Sequence, residues 1–382
     1  MIAKLLKLDK HPTPWDTDSM QPPRNAIEAV THPDPWPFYR SLRQERPLFF
    51  DAGLGLWVAS SHAAVSAALN HPALRVRPPA EPVPMGLQGT AAGEVFALLV
   101  RMTDGEFHAA HKPAVAQAAR RWTLADVARA AEDATDDLQP RLEVNDFLGV
   151  LPVQAMARLL GVPEELRDDT CRWALQFTQG IAPGAGTQAV ALADDAAAAL
   201  MAQGRALGLQ PAQAANRIAF MQQAMDATGG LLGLVALQLA QDQVPEGQGA
   251  AADASQEAMR RFVREVERWA APIQNTRRFA AESLTLLGQP VEAGQAILVV
   301  LASANRDEAL NPRPEHFDMH RAQSRSMGFG AGPHTCPGAA IAIEIVATSL
   351  RSIRAKGQFD HYFGACTGFR PLPNARIPVF SQ

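Results

Sequence analysis

Near the C-terminus, Phe329-Gly330-Ala331-Gly332-Pro333-His334-Thr335-Cys336-Pro337-Gly338 runs straight into the apolar stretch Ala339-Ala340-Ile341-Ala342-Ile343. This segment constrains the fold more than any other. Gly330 and Gly332 supply turn conformations that a side chain would strain, and they let the backbone approach a large flat ligand. The segment delivers one cysteine to the head of a helix, with Cys336 expected at the N-cap and Pro337 at the first helical position, where no amide is needed. A helix N-terminus favours thiolate over thiol, and bonding to a metal completes the deprotonation. Taken alone, Cys336 also fits a small buried hydrophobe. The spaced glycines and His334 favour the ligand reading.

The chain has 382 residues, 47% hydrophobic and 19% charged, enough to bury a large core. Aromatic residues are scarce (6%), while Ala and Leu abound, so a mainly helical fold is expected, and length alone would suggest two or three domains. A net charge of -4 leaves no nucleic-acid footprint. The three cysteines, Cys171, Cys336 and Cys366, show no pairing pattern, which points to a reducing compartment. No run of about 18 apolar residues stands out as a membrane span. The Leu/Lys cluster at 1–8 is too short for a signal peptide, so a cytoplasmic protein is expected.

Helical patterns cover 34–45, 63–69, 92–102, 106–120, 124–138, 153–160, 164–178, 186–207, 211–241 and 255–269. Strand patterns cover 47–60, turning at Asp51-Ala52-Gly53, then 274–279, 296–301 and 369–380. Pro78, Pro79, Pro82 and Pro84 make 75–91 an irregular loop at the surface or over a pocket. The stretch 245–254 reads as an exposed flexible loop.

The cysteine segment resembles the haem-binding loop of the cytochrome P450 family, F-G-x-G-x-H-x-C-x-G, from Phe329 to Gly338. The resemblance implies a single P450 domain over 1–382, mainly helical with small β-sheets, holding haem b (iron protoporphyrin IX), with Cys336 as the axial iron ligand and His334 against a haem propionate. Upstream, Glu265-Val266-Glu267-Arg268 matches the family's E-x-x-R, and His316 in Pro314-Glu315-His316-Phe317 stands where an arginine usually completes a triad, so that its hydrogen bonding would depend on pH. His108 and Lys112, four apart on one helix face, match a propionate clamp in which lysine replaces arginine and loses the bidentate fork. Arg278 matches another propionate-binding arginine, and Ser326 stands where a histidine is usual.

In the long helix, Gln223-Ala224-Met225-Asp226-Ala227-Thr228-Gly229-Gly230 aligns with the family's A/G-G-x-D/E-T. Asp226 keeps the acid, Ala227 replaces the threonine, and Thr228 lies one step, about 100°, round the helix. The small residues fit a helix lying against a planar cofactor; close helix packing at Gly229-Gly230 is the other reading. With the usual hydroxyl absent, water, Thr228, Asp226 or the substrate must carry the proton relay. Pro337 has no N–H to offer the Cys336 sulfur, which should leave more charge on sulfur and lower the iron potential.

The resemblance implies a monooxygenase that inserts one oxygen atom from O2 into a small organic substrate. Electrons would pass from NAD(P)H through a ferredoxin and its reductase, docking near Arg120, Arg121 and Arg325. It also implies pocket walls from Met85, Leu87, Phe177, Met225, Ala227, Ile273, Gln274 and Phe369, with Gln274 as an orienting amide. Arg75 and Arg77 could meet a substrate carboxylate. Ala227 raises a second enzymatic reading: peroxide-driven oxidation, coupling, desaturation or dehydration. A haem-binding sensor without turnover is the third.

Overall fold

The computed structural model describes residues 21–240, 252–253 and 255–381. The 1–8 cluster and most of the 245–254 loop lie outside these residues. Helices are α1 Trp36–Glu45, α2 His62–Asn70, α3 Ala91–Ala97, α4 Gly105–Arg120, α5 Leu124–Leu138, α6 Val144–Leu159, α7 Glu164–Gly180, α8 Thr187–Ala206, α9 Pro211–Ala240, α10 Gln256–Ala270, α11 Leu301–Asn305, α12 Ala339–Ala355 and α13 Phe359–Tyr362. Strands are β1 Leu48–Asp51, β2 Leu56–Ala59, β3 Leu74–Arg75, β4 Thr276–Ala280, β5 Leu284–Leu286, β6 Gln289–Val291, β7 Ala296–Val299, β8 Cys366–Phe369 and β9 Pro378–Phe380.

The helices α5, α6, α9, α10 and α12 form the main core, because each carries apolar side chains at helical spacing that only mutual packing can bury. The 30-residue α9 runs through its centre and touches α6, α7, α8, α10 and α12. A five-stranded sheet in the order β1-β2-β7-β4-β3 flanks this core, with β2 and β7 parallel and the other pairs antiparallel. Its register sets Arg278 of β4 opposite Ile297 of β7.

Three differences from the sequence expectations have physical causes. The helix expected from Val153 begins at Val144 and carries Pro152 inside it. Proline lacks the N–H that would bond the carbonyl four residues back, and that carbonyl, of Leu148, faces Gly229 of α9 so closely that a Cβ there would sit 2.2 Å from the oxygen. The proline-freed carbonyl and the bare glycine thus allow α6 and α9 their close approach. Second, the helix expected over 92–102 breaks into α3 and the 3-10 turn Val100–Met102. Asn216 of α9 holds the break, accepting from the Val100 amide at 3.1 Å and donating to the Leu98 carbonyl at 3.0 Å. Third, Gly332–Ala355 is long and apolar enough, by length and composition, to cross a membrane. Its apolar window is 56% buried inside the protein, as befits the core helix α12.

Candidate functional site

The cysteine loop is built as its glycines require. Gly330 and Gly332 take left-handed φ values of 72° and 66°, and a Cβ on Gly332 would lie 2.3 Å from Asn70 Oδ1. The Cys336 amide donates to the Phe329 carbonyl at 2.8 Å, closing the loop on itself. The helix starts later than expected: Gly338 is the N-cap and Ala339 the first helical residue. Pro337 is therefore not at the first helical position, and Cys336 lies before the cap. The glycine makes the cap because its backbone closes the first turn by accepting from the Ala342 amide at 2.9 Å. The Gly338 amide donates to Cys336 Sγ at 3.3 Å, so the sulfur has a donor although Pro337 offers none. Burial pushes the Cys336 thiol up, opposed by that amide and the Lys112 ammonium. Yet the side chain is exposed: protein crowds the sulfur while leaving one direction open.

Four basic side chains gather beside this loop. His334 Nε2 lies 3.0 Å from Asp104 Oδ1, and its ring sits 4.3 Å from that of His108. Arg278 is buried and feels Asp104. Lys112 Nζ donates to the Thr335 carbonyl at 2.8 Å, so this lysine holds the cysteine loop itself. Burial, then the charges of His334 and Lys112, push the His108 imidazole down to about 4. His108 Nε2 is buried without a hydrogen-bond partner. A carboxylate placed here would take up that orphaned nitrogen and offset the excess positive charge. The residues therefore fit the propionates of a haem. Among the described residues no three His, Cys, Asp or Glu side chains are grouped to hold a metal ion. Iron ligated by Cys336 thus needs a macrocycle for its other donors.

Behind the loop, Arg268 and Glu265 are 0% and 1% exposed and joined by two bonds of 2.9 and 2.7 Å. Arg268 Nη1 also donates to the Pro314 and Asn305 carbonyls at 2.9 and 3.3 Å. His316 does not complete a side-chain triad: its carbonyl accepts from Arg268 and from Arg321 while the residue is exposed. The expected pH dependence through its imidazole is withdrawn. Arg321 supplies the second guanidinium instead, 3.5 Å from Glu265 Oε1. Glu267, one residue before Arg268, is buried against the same loop; burial raises its carboxyl to about 7 despite a hydrogen bond from Ser326. A side chain at Gly328 would collide with it, Cβ falling 2.0 Å from Glu267 Oε1.

Across the site, the open positions in the middle of α9 are Phe220, Gln223, Ala224 and Ala227, with Asp226 beside them. The spacing i, i+3, i+4, i+7 is one helix face, on which Ala224 and Ala227 are small. Thr228 points elsewhere and is only 3% exposed, so it cannot take over the missing hydroxyl. Gly229 and Gly230 likewise face away, packing on Leu148 and on Pro272 and Ile377, which decides for helix packing there. Burial holds the Asp226 carboxyl above its usual range, opposed by Arg370 and Arg101.

The family profile described as Cytochrome P450 matches residues 255–353, the span from α10 through the cysteine loop into α12. The "Putative cytochrome P450 126" of Mycobacterium tuberculosis (strain ATCC 25618 / H37Rv) is 42% identical over 80 residues, which span 21% of this chain and 19% of the relative. The "20-oxo-5-O-mycaminosyltylactone 23-monooxygenase" of Streptomyces fradiae is 27% identical over 330 residues, 78% of this chain and 77% of the relative. The crystal structure of P450BioI in complex with a hexadec-9Z-enoic acid ligated acyl carrier protein superposes with a TM-score of 0.75 at 22% identity, covering 92% of this chain and 97% of that one. P450 RauA, complexed with a biosynthetic intermediate of aurachin RE, gives 0.75 at 21% identity, covering 93% and 98%. The fold is that of the cytochrome P450 structures, and the stretch that carries the cysteine loop matches the family's profile.

Within the P450 frame, several expected pocket residues are placed elsewhere. Gln274 is fully buried and spends its amide on the Ala270 and Ala271 carbonyls at 2.9 and 2.6 Å and on the Tyr39 hydroxyl at 3.0 Å, so it cannot orient a substrate. Phe177, Leu87 and Met225 lie in the main core. Met85 is 77% exposed, carried outward by a short 3-10 turn among the prolines. Phe369 is buried beneath the Arg376 guanidinium at 3.5 Å. Ile273 and Ala227 keep part of their surface open. Sequence reasoning passed over Arg101, Glu267, Arg321 and Arg370. For Arg101 a signal was present: a charge flanked by the apolar residues Val100 and Met102.

Proposed function

We propose that this P450 is a haem-thiolate monooxygenase that inserts one oxygen atom from O2 into a small organic substrate. The observation that carries the reading is the open Cys336 sulfur, served by the Gly338 amide and set beside a propionate-sized cluster of His108, His334 and Arg278. Bound there, haem would supply the redox chemistry that activates oxygen. Cys336 Sγ would ligate it, and His108, His334 and Arg278 would hold its carboxylates. Lys112, bonded to Thr335, keeps the ligand loop in place. Ala224 and Ala227 leave room for a flat group against α9 and for a substrate above it. Asp226, raised by burial, can hold and release a proton nearer neutral pH than an ordinary carboxyl.

Electrons originate in NAD(P)H and arrive through separate proteins, a ferredoxin and its reductase, at a basic face that includes Arg120, Arg121 and Arg325, all exposed. The bacterial origin of the relatives supports a cytoplasmic location. One observation favours a second reading. With Ala227 on the open face and Thr228 buried, no threonine hydroxyl serves the relay, which suits peroxide-driven oxidation, coupling, desaturation or dehydration. Turnover under 18O2 with a surrogate ferredoxin and reductase decides. Label in the product confirms insertion; unlabelled product from efficient turnover supports the second reading and overturns the first.

A further inference from the structure

Two guanidinium groups approach Asp226 from different elements, and neither is consumed by it. Arg101 belongs to the 3-10 turn Val100–Met102, which Asn216 pins to α9 through the Val100 amide. Asp226 lies ten residues, about 15 Å, further along that helix, yet the two side chains feel each other's charge. The Arg101 side chain therefore lies near Asp226, whose turn of α9 also carries the open positions Gln223 and Ala227. Among the described residues it makes no hydrogen bond or ion pair, and it is exposed. Burial nevertheless lowers it, as expected for a cation facing an internal recess rather than bulk water.

Arg370 follows β8 and is 5% exposed. Its Nη2 donates to the Asn145 carbonyl, but its Nε is buried without a partner. Asp146 is the other carboxyl near it. Burial raises both Asp226 and Asp146, weakening their hold on the arginines, whereas a guanidinium stays charged throughout the physiological range. The recess thus has an excess of charged donors over acceptors.

We propose that Arg101, backed by Arg370, anchors an anionic group, a carboxylate, on the organic substrate of this P450. A carboxylate would receive the planar fork of Arg101 at one end of the recess, leaving the rest of the molecule to lie over Ala224 and Ala227. The inference rests on the haem-thiolate reading and deepens it by naming the substrate class. It separates this chain from P450 pockets that are apolar throughout, and it moves the anchoring role from Arg75 and Arg77 to Arg101. Arg75 donates instead to the Pro72 carbonyl, and Arg77 donates to the Glu81 carbonyl and lies over the Phe96 ring, although its Nε, like that of Arg370, has no partner.

The test uses haem-loaded protein and two matched pairs of probes: dodecanoate with dodecanamide, and 3-phenylpropanoate with its primary amide. Binding is measured by the Soret shift and, independently, by calorimetry. At least one acid is expected to bind about tenfold more tightly than its amide. Arg101→Gln should abolish that preference while leaving the affinity for the amide unchanged, and raised salt should weaken only the acid. Equal binding of acid and amide, failure of both acids to bind, or a preference that survives Arg101→Gln overturns the proposal. The reduced, carbon-monoxide-bound spectrum separates this failure from that of the underlying reading: a thiolate-type spectrum in both proteins leaves the haem assignment standing whatever the acids do.

Discussion

The two sides of the site are held by opposite kinds of interaction. Behind Cys336, nearly every charge is spent: Glu265 on Arg268, Arg321 and the Asp318 amide, Arg268 on three carbonyls, Lys112 on Thr335. Across the site, Arg101 makes no bond among the described residues and Arg370 keeps an unpartnered Nε. The first side fixes one geometry for a sulfur. The second keeps donors in reserve for something that arrives. A network saturated but for Arg321 Nε and a sparser one separate the part of the site that must not move from the part that must select.

If that contrast is right, damage behind the cysteine should act on folding first. Arg268→Ala leaves Glu265 buried without its main partner and should cost about 3–5 kcal/mol, seen as loss of soluble protein or a large drop in melting temperature. A stable, folded variant would mean that the network is not structural. Gly229→Ala should come next. Its Cβ meets the Leu148 carbonyl, so α6 and α9 must part, costing about 1–3 kcal/mol although alanine is the better helix former.

Glu267 sharpens the comparison through pH. Burial raises its carboxyl from an ordinary 4.5 to about 7, so the folded chain binds this proton more tightly than the unfolded one. The resulting stability is fully present below about 4.5, falls as pH rises, and is lost by the time pH passes about 7. The loss is on the order of 3 kcal/mol. Glu267→Gln should flatten that part of the stability profile, measured as melting temperature between pH 4.5 and 8; an unaltered slope would place the titration elsewhere. The smallest effect belongs to His316→Ala. The imidazole takes no part in the Arg268 network, so stability should change by no more than about 0.5 kcal/mol.

The same contrast explains what the sequence could tell. The cysteine loop is local: its glycines, histidine and cysteine sit within ten residues, and the backbone conformations they demand are those found at Gly330 and Gly332. Glu265 and Arg268 are one helical turn apart, so their pairing follows from spacing alone. The third partner did not, because Arg321 reaches Glu265 across a bend that exposes His316 and turns its carbonyl inward. The part of helix α6 before Val153 was not legible, because the carbonyl that Pro152 frees is accommodated by Gly229, far away in sequence. The break after α3 depends on Asn216, again a tertiary partner. Pocket walls were the least legible. Apolar residues such as Phe177 and Met225 look alike in a core and in a cavity, and only packing separates them.

One measurement bears most directly on the account: the reduced, carbon-monoxide-bound absorption spectrum of haem-loaded wild type and of Cys336→Ala. The account predicts a thiolate-type Soret band in the wild type and its loss in a Cys336→Ala protein that remains folded. An unchanged band in Cys336→Ala, or a wild-type chain that takes up no haem, would contradict it.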